Sequence, residues 1–189
     1  MSSADLQSGL GEMSHYFIVA GEKDFKEYKM DYEDALTDNN ILAKMISNSL
    51  KIKKSYIEID EFDQHKRQVF NYGHSFGHAI ESLTGYTVPH GIAVSFGMDM
   101  ANFISVKRKF LKNSIRLEIR DLLQRIWSEY DISDLDLDKF AMALSKDKKN
   151  VGNELRLILC KGYGKVFKTA QNLDDEFKGW LKDYFSDEL

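Results

Sequence analysis

The sequence is poor in residues that cross-link a chain, break its helices or anchor it in lipid. Its 189 residues include one cysteine and one proline. The single thiol, Cys160, excludes an internal disulfide and predicts a reducing, cytoplasmic location. No apolar run reaches the roughly 18 residues of a membrane span, and the first ten residues lack the layout of a signal peptide. We therefore expect no membrane partner.

The sequence also lacks a large excess of charge of either sign. The 26 basic and 30 acidic residues give a formal net charge of −4, so the chain has no basic field of the kind that attracts nucleic acid. A glycine-rich turn between a strand and a helix, which is typical of dinucleotide-binding domains, is also missing. The composition is 43% hydrophobic and can bury one core, so we expect a single domain over residues 1–189.

Hydrophobic periodicity predicts a mainly α-helical fold. Most segments carry one apolar stripe at helical spacing, whereas residues 92–106 are apolar nearly all round, as in a helix at the centre of a domain. The predicted helices cover residues 3–20, 41–59, 73–85, 92–106, 114–130 and 137–144, with one or two short helices within 21–40. A β-hairpin of residues 155–160 and 165–169 and a last helix capped by Asn172 complete the predicted fold.

The apolar stripe of the second long helix contains a lysine. The stripe consists of Leu42, Ile46, Leu50, Lys53 and Ile57. An ammonium group among hydrophobic side chains is costly unless it reaches water, pairs with an acid or meets an anionic ligand. Arg67, fourteen residues later, is the natural second cation, because its planar guanidinium suits a carboxylate.

The middle of the chain holds three of the five histidines. His74 and His78 stand at i and i+4 and share one helix face, which Glu81 continues. Such a pair can bind a metal, although in many helices it is a solvated face or a set of satisfied polar groups. Ser75 follows the first histidine where the zincin motif requires a glutamate, so metalloprotease chemistry is disfavoured. His90 begins the next helix, where the helix dipole favours the neutral imidazole that a metal needs.

The same region contains a longer motif, which consists of Arg67, Asn71, Gly73-His74, Phe76 to Glu81, His90-Gly91, Ala93-Val94 and Gly97-Met98. This motif resembles the carboxyl-terminal domain of 3-dehydroquinate synthase and related sugar phosphate cyclases. Further matches are Ser8 to Leu10 with Glu12, Lys53, Asp60-Glu61, Asp147 to Lys149 and Leu155 to Leu159. The resemblance covers most of the chain and implies a multi-helical domain with one short hairpin.

The resemblance implies a metal centre that differs from the one suggested by helical spacing. Glu12, His74 and His90 would bind a catalytic zinc, or a similar divalent ion such as cobalt or iron, whereas spacing alone pairs His74 with His78. We follow the family, because three mixed ligands with an open position for substrate suit a catalytic zinc. His78 would then bind the substrate phosphate.

The resemblance also implies the residues that hold the substrate, a phosphorylated sugar acid or polyol. Lys53 and Arg67 would bind its carboxylate. Asn71 and one lysine of the turn at 147–152 would bind its phosphate. Between the two candidate lysines we prefer Lys148 to Lys149.

Two positions depart from the family pattern. Asp63 stands where the family has a glutamate that contacts substrate hydroxyls, and His15 stands where it has a lysine that contacts the substrate. Both departures fall at the polyol end of the implied pocket. These departures affect the identity of the sugar phosphate substrate more than the type of reaction.

The implied activity is that of an NAD-dependent lyase, most closely 3-dehydroquinate synthase of the shikimate pathway. In this family NAD oxidises a metal-held carbinol, phosphate is eliminated, the hydride returns and the ring closes by an aldol step. NAD is bound mainly by an amino-terminal domain that has no counterpart among these residues. We therefore expect the carboxyl-terminal half, inactive by itself, of an enzyme that forms homodimers.

Three alternatives remain open from the sequence. The first is a related cyclase such as 2-deoxy-scyllo-inosose synthase. The second is a metal-dependent alcohol dehydrogenase of the glycerol dehydrogenase type, against which Lys53, Arg67 and Asn71 argue because a small neutral alcohol needs no anion clamp. The third is a non-catalytic helical module, which His15 and Asp63 favour.

Overall fold

The computed structural model describes residues 2–62, 66–146 and 154–189 and confirms a mainly α-helical fold. Over these residues it has eight α-helices, one 3-10 helix and one antiparallel two-stranded sheet. The helices are α1 (Ser3–Ala20), α2 (Glu22–Ala35), α3 (Asn39–Ile59), the 3-10 helix (Lys66–Asn71), α4 (His74–Leu83), α5 (His90–Lys107), α6 (Asn113–Trp127), α7 (Leu137–Ser145) and α8 (Asp175–Asp187); the strands are β1 (Glu154–Cys160) and β2 (Val166–Asn172).

Helix α5 lies at the centre of the domain. Every residue from 91 to 105 is buried, and the helix contacts α1, α4, α6, α8 and β1. The apolar character of this segment on all sides predicted that position. No helix in the described ranges combines the length and hydropathy that a membrane crossing requires.

Glycines let α1 and α5 cross with their backbones in contact. A Cβ atom added at Gly91 would lie 1.8 Å from the Ser8 carbonyl oxygen, and one at Gly11 would lie 2.3 Å from the Gly91 oxygen. The Gly91 amide also donates a hydrogen bond of 2.9 Å to Ser8 Oγ. No side chain larger than hydrogen fits at either position, so the glycines determine how close the two helices come.

The contact between α4 and α5 is built in the same way. Gly73 precedes α4 with a φ of 83°, in the left-handed region that glycine adopts readily. A Cβ atom at Gly97 of α5 would lie 2.0 Å from the Gly73 oxygen. The start of α4 therefore lies directly against the middle of α5.

The prediction of which face of α3 is buried is wrong. Met45 and Ser49 are the buried residues of this helix, whereas Ile46 and Leu50 are 42% and 57% exposed and Lys53 is also exposed. Apolar residues lie on more than one side of α3, so periodicity alone did not identify the side that packs on α1 and α2. Lys53 consequently has access to water and carries no burial penalty.

The hairpin is confirmed, and it changes the predicted cap of the last helix. The strands pair antiparallel from Glu154 with Asn172 to Cys160 with Val166. Asn172 is therefore the last residue of β2. Asp174 caps α8 instead, because its side chain accepts a hydrogen bond from the Phe177 amide.

A buried ionic cluster joins α5, α6 and α8. Asp99, which is fully buried in α5, accepts hydrogen bonds of 3.2 and 3.1 Å from Arg116 and of 2.9 Å from the Tyr184 hydroxyl. Arg120 also donates to Asp99, and Arg116 forms two further bonds of 2.9 and 3.0 Å with Glu188. The cluster links the end of the chain to the central helix.

Candidate metal centre

Three side chains from three helices converge near the start of α5. Glu12 Oε2 lies 3.6 Å from His74 Nε2 and 3.4 Å from His90 Nε2, and one potential ligand atom from each residue lies within 4.8 Å of the others. Donors bound at ~2.1 Å to a tetrahedral ion are about 3.4 Å apart. The spacing of these three side chains therefore suits one divalent cation.

The electrostatics of the cluster also suit a cation. Glu12 Oε2 is buried and has no hydrogen-bond partner. Burial opposes its charge, but His74 and His90 outweigh this effect and hold the pKa of Glu12 well below its usual range. The cluster thus presents an ionised carboxylate, with one buried oxygen, to two imidazoles, and these donors fit a divalent ion.

The outer nitrogen of each imidazole faces an acceptor. His74 Nδ1 lies 3.2 Å from the Tyr72 carbonyl oxygen, and His90 Nδ1 lies 3.1 Å from both carboxylate oxygens of Glu81. Both rings therefore direct Nε2 towards Glu12. Metal-bound histidines have this arrangement, in which the second ring nitrogen donates to a carboxylate or a carbonyl.

Carboxylates, rather than the helix dipole, dominate the ionisation of His90. Its interaction with Glu12 raises the pKa of His90 to about 9; burial opposes this and Glu81 reinforces it. These carboxylates oppose the dipole of α5, which by itself favours the neutral ring. A cation that binds here would have to displace a proton from His90.

His78 lies beside the cluster, at the boundary of a cavity. Its ring centre is 5.6 Å from that of His74 and 5.8 Å from that of His90. The cavity, about 610 Å³ in volume, is bounded by α4 and α7, and its wall includes His78, Lys139 and Lys146. His78 therefore borders both the three converging side chains and the cavity, and its binding of the substrate phosphate stays a prediction.

His15 is buried beneath the cluster. It is 1% exposed, and neither ring nitrogen has a hydrogen-bond partner. The rings of Tyr16, His74 and Phe70 lie around it at 3.9, 5.4 and 5.7 Å between centres. Burial lowers the pKa of His15 to about 3, so the ring is neutral. A direct contact between His15 and substrate stays a prediction.

The two predicted carboxylate-binding cations lie near Tyr16. Burial raises the pKa of Tyr16, and the nearby charges of Lys53 and Arg67 partly offset this effect. Lys53 Nζ lies 5.9 Å from the centre of the Tyr16 ring, and Arg67 Nη1 donates to the Glu61 carbonyl at 2.6 Å. The structure thus brings both cations near Tyr16, a residue of α1.

The remaining predicted residues lie partly outside the described ranges. Asn71, at the end of the 3-10 helix, donates from Nδ2 to the Gln68 carbonyl at 3.1 Å. Asp63, Lys148 and Lys149 fall outside the described residues. The sequence assigned no role to Glu81, although its place seven residues after His74, two turns along the same helix face, was an available signal.

Replacing Lys53 with methionine should leave the free energy of unfolding within about 0.5 kcal/mol of the wild-type value, because exposed substitutions away from a packed core have small effects. Urea denaturation measures this. A loss above roughly 1.5 kcal/mol would indicate that Lys53 forms a structural ion pair. It would then contradict the exposed position.

The fold and the cluster define a helical domain with a candidate divalent metal centre. Residues 9–150 match the family described as 3-dehydroquinate synthase C-terminal. The chain therefore belongs to the 3-dehydroquinate synthase C-terminal family, which confirms the resemblance of the motif residues.

Named relatives agree with this assignment. The 3-dehydroquinate synthase of Syntrophotalea carbinolica is 33% identical over 167 residues, which cover 87% of this chain and 46% of that protein. The bifunctional 3-dehydroquinate synthase/phosphatase of Fusobacterium nucleatum is 32% identical over 182 residues, covering 92% of this chain and 27% of that protein. The chain thus spans less than half the length of either relative.

Solved structures of two cyclases share the fold. A 2-deoxy-scyllo-inosose synthase complexed with carbaglucose-6-phosphate, NAD+ and Co2+ aligns with a TM-score of 0.78 and 21% identity, over 100% of this chain and 54% of that one. A 2-epi-5-epi-valiolone synthase from Streptomyces hygroscopicus subsp. jinggangensis, with NAD+ and Zn2+ bound, aligns with a TM-score of 0.81 and 16% identity, over 96% and 51%. At these identities the likeness establishes the fold.

Proposed function

We propose that this chain is the metal- and substrate-binding domain of an NAD-dependent sugar phosphate cyclase, and that the complete enzyme is a 3-dehydroquinate synthase. The observation that carries the proposal is the convergence of His74 and His90 on Glu12 Oε2, a buried oxygen without a hydrogen-bond partner. Family membership and the names of the relatives favour this activity over an alcohol dehydrogenase or a non-catalytic module. Residues beyond this chain would bind most of the NAD.

The metal would be held by Glu12, His74 and His90, with a further position open to substrate. Bound there, a divalent ion supplies Lewis-acid polarisation of a hydroxyl group, and NAD supplies reversible hydride acceptance. The metal-bound cyclase structures contain Co2+ in one case and Zn2+ in the other. We propose zinc or cobalt for this chain on that basis.

The other residues would position the substrate. Lys53 and Arg67, near Tyr16, would bind its carboxylate, and His78, at the cavity between α4 and α7, would bind its phosphate together with Asn71. Charged side chains of this kind act mainly by fixing the reacting group against the metal. The exposed position of Lys53 supports this role, because the ammonium group can meet an anion without first being unburied.

Metal titration tests the proposal. The purified wild-type chain should bind about one Zn2+ or Co2+ ion, measured by isothermal titration and by the visible spectrum of Co2+. His74→Ala should no longer retain the ion, because two donors hold a divalent ion far more weakly than three. Stoichiometric retention by that variant would contradict the ligand assignment.

His78→Ala is the matched control for metal binding. It removes an imidazole one helical turn from His74 but lies outside the proposed ligand set, so one ion should still bind. Loss of the ion in His78→Ala together with retention in His74→Ala would instead favour other ligands. Circular dichroism of both variants establishes that α4 is intact.

A separate experiment tests whether NAD binding and turnover require a further domain. The chain by itself should neither bind NAD detectably nor convert the seven-carbon sugar acid phosphate that 3-dehydroquinate synthases use. Fluorescence titration with NADH and an assay of released phosphate measure the two properties. Turnover by these 189 residues would contradict the proposed dependence on a further domain.

A further inference from the structure

Glu81 lies directly behind one of the converging imidazoles. Both of its carboxylate oxygens are 3.1 Å from His90 Nδ1, while His90 Nε2 on the opposite side of the ring lies 3.4 Å from Glu12 Oε2. The side chain of Glu81 is 12% exposed, whereas that of His90 is 43% exposed. The more exposed imidazole ring is therefore contacted on its Nδ1 side by a more buried carboxylate.

We propose that Glu81 is a positioning residue for the metal centre. A carboxylate can only accept a hydrogen bond, so its contact with Nδ1 places the ring proton there and leaves the lone pair on Nε2. It also sets the plane of the ring, so that Nε2 faces Glu12 and His74. The inference rests on the proposed function, because it assigns Glu81 a role towards the same metal.

The helix geometry explains why Glu81 can act on a residue of another helix. Glu81 stands two turns after His74 in α4, so one helix supplies both a ligand and the group that orients a second ligand. The close contact between Gly97 and Gly73 holds α5 against α4. His90, at the start of α5, is thereby kept within reach of the Glu81 carboxylate.

The two histidines differ in how they are oriented. His74 Nδ1 faces a main-chain carbonyl, that of Tyr72, which no substitution removes. His90 relies on a side chain for the same purpose. Substituting Glu81 can therefore remove the group that orients His90 while His90, the proposed metal ligand, stays in place.

A second cation site is the competing interpretation. His78, Glu81 and His90 also offer potential ligand atoms that lie within 4.8 Å of one another. An ion bound there while another is bound at Nε2 would require His90 to lose both ring protons. The equal distances from the two Glu81 oxygens to Nδ1 favour a shared Nδ1–H donor instead.

The experiment compares Glu81→Ala and Glu81→Gln with the wild type. Zn2+ and Co2+ titrations give affinity and stoichiometry, and nuclear magnetic resonance of the zinc-loaded protein reports solvent exchange of the His90 Nδ1 proton. Glu58→Ala is the control, because Glu58 is an exposed residue of α3 that pairs with Lys54. Urea denaturation establishes that each variant is folded.

We expect one ion per wild-type chain and a loss of about 10–100-fold in affinity for Glu81→Ala. The Nδ1 proton should be protected from exchange in the wild type and should exchange rapidly in Glu81→Ala. Glu81→Gln keeps an oxygen acceptor, so it should retain most of the protection and lose less affinity. Glu58→Ala should match the wild type in both measurements.

Three results would overturn the assignment in different ways. Unchanged affinity and proton exchange in folded Glu81→Ala, with one ion bound to the wild type, would reject the positioning role and leave the metal centre intact. Two ions per wild-type chain, with one lost in Glu81→Ala, would establish the second cation site instead. No binding by the wild type would refute the metal centre itself and, with it, the role of Glu81.

Discussion

Gly11→Ala should destabilise the domain by about 3 kcal/mol or more and abolish metal binding, because overpacking at a rigid contact forces the backbone to move. The added Cβ would lie 2.3 Å from the Gly91 oxygen and 3.2 Å from Ile126 Cγ2. Helix α1 would have to withdraw from α5. Glu12 follows Gly11 and His90 precedes Gly91, so the same movement would separate two of the three proposed ligands.

Gly9→Ala is the matched control in the same helix. No atom lies within 4 Å of a Cβ built at Gly9, so alanine there should stabilise α1 by roughly 0.5–1 kcal/mol through its higher helix propensity. Urea denaturation and Zn2+ titration of the two variants measure the difference. Wild-type stability and one bound ion in Gly11→Ala would mean that the α1 and α5 backbones are not in contact at this point.

Where one face of a segment is apolar, or all of it is, the fold could be predicted from sequence. In α6 the buried apolar residues lie on one helix face, as periodicity predicts: Ile119, Leu122, Leu123, Ile126 and Trp127. In α5 the apolar character on nearly all sides predicted a position at the centre of the domain. The strong energetic preference for burying such surfaces leaves a helix few ways to pack.

Helix α3 shows where periodicity fails. Its apolar residues are distributed over several faces, so the stripe through Ile46 and Leu50 looked as suitable as the one through Met45. Which stripe is buried depends on the shapes of α1 and α2, and a single sequence does not contain that information. The error moved Lys53 from the expected interior to the surface.

The candidate site illustrates the same limit. Helical spacing relates only residues of one helix, and so it paired His74 with His78. The grouping of Glu12 with His74 and His90 came from the family resemblance, not from spacing. The physical cause of their convergence is the pair of glycine contacts that bring α1 and α4 against α5, and these contacts involve residues without side chains.

The sequence contains a signal for the ionic cluster around Asp99. An acidic residue in a helix that is otherwise apolar on all sides requires buried partners, because an unpaired buried charge is very costly. Asp99 is such a residue, and Arg116 and Arg120 are one turn apart in α6. Their positions on one face of α6 identify them as its partners.

Asp99→Asn should lower the free energy of unfolding by about 3–5 kcal/mol, the range observed when one member of a buried ion pair is removed. Arg116 and Arg120 are 2% and 6% exposed. Burial opposes the charge on Arg116, but Glu188 and Asp99 outweigh it and raise its pKa. An arginine guanidinium is always charged in proteins, so Asp99→Asn leaves both guanidinium groups without their shared buried counterion.

Asp121→Asn is the control for a carboxylate that is paired but exposed. Asp121 binds Lys29 and Arg125 at 2.9 and 2.8 Å, yet its side chain is 51% exposed, so its loss should cost less than about 1 kcal/mol. Urea denaturation of both variants at pH 7 gives the comparison. Asp99 lies nine residues beyond His90, about 13 Å along α5, so folded Asp99→Asn should still bind one ion. Equal, small losses in both variants would mean that water reaches the two arginines and that the cluster does not hold α8 to the core.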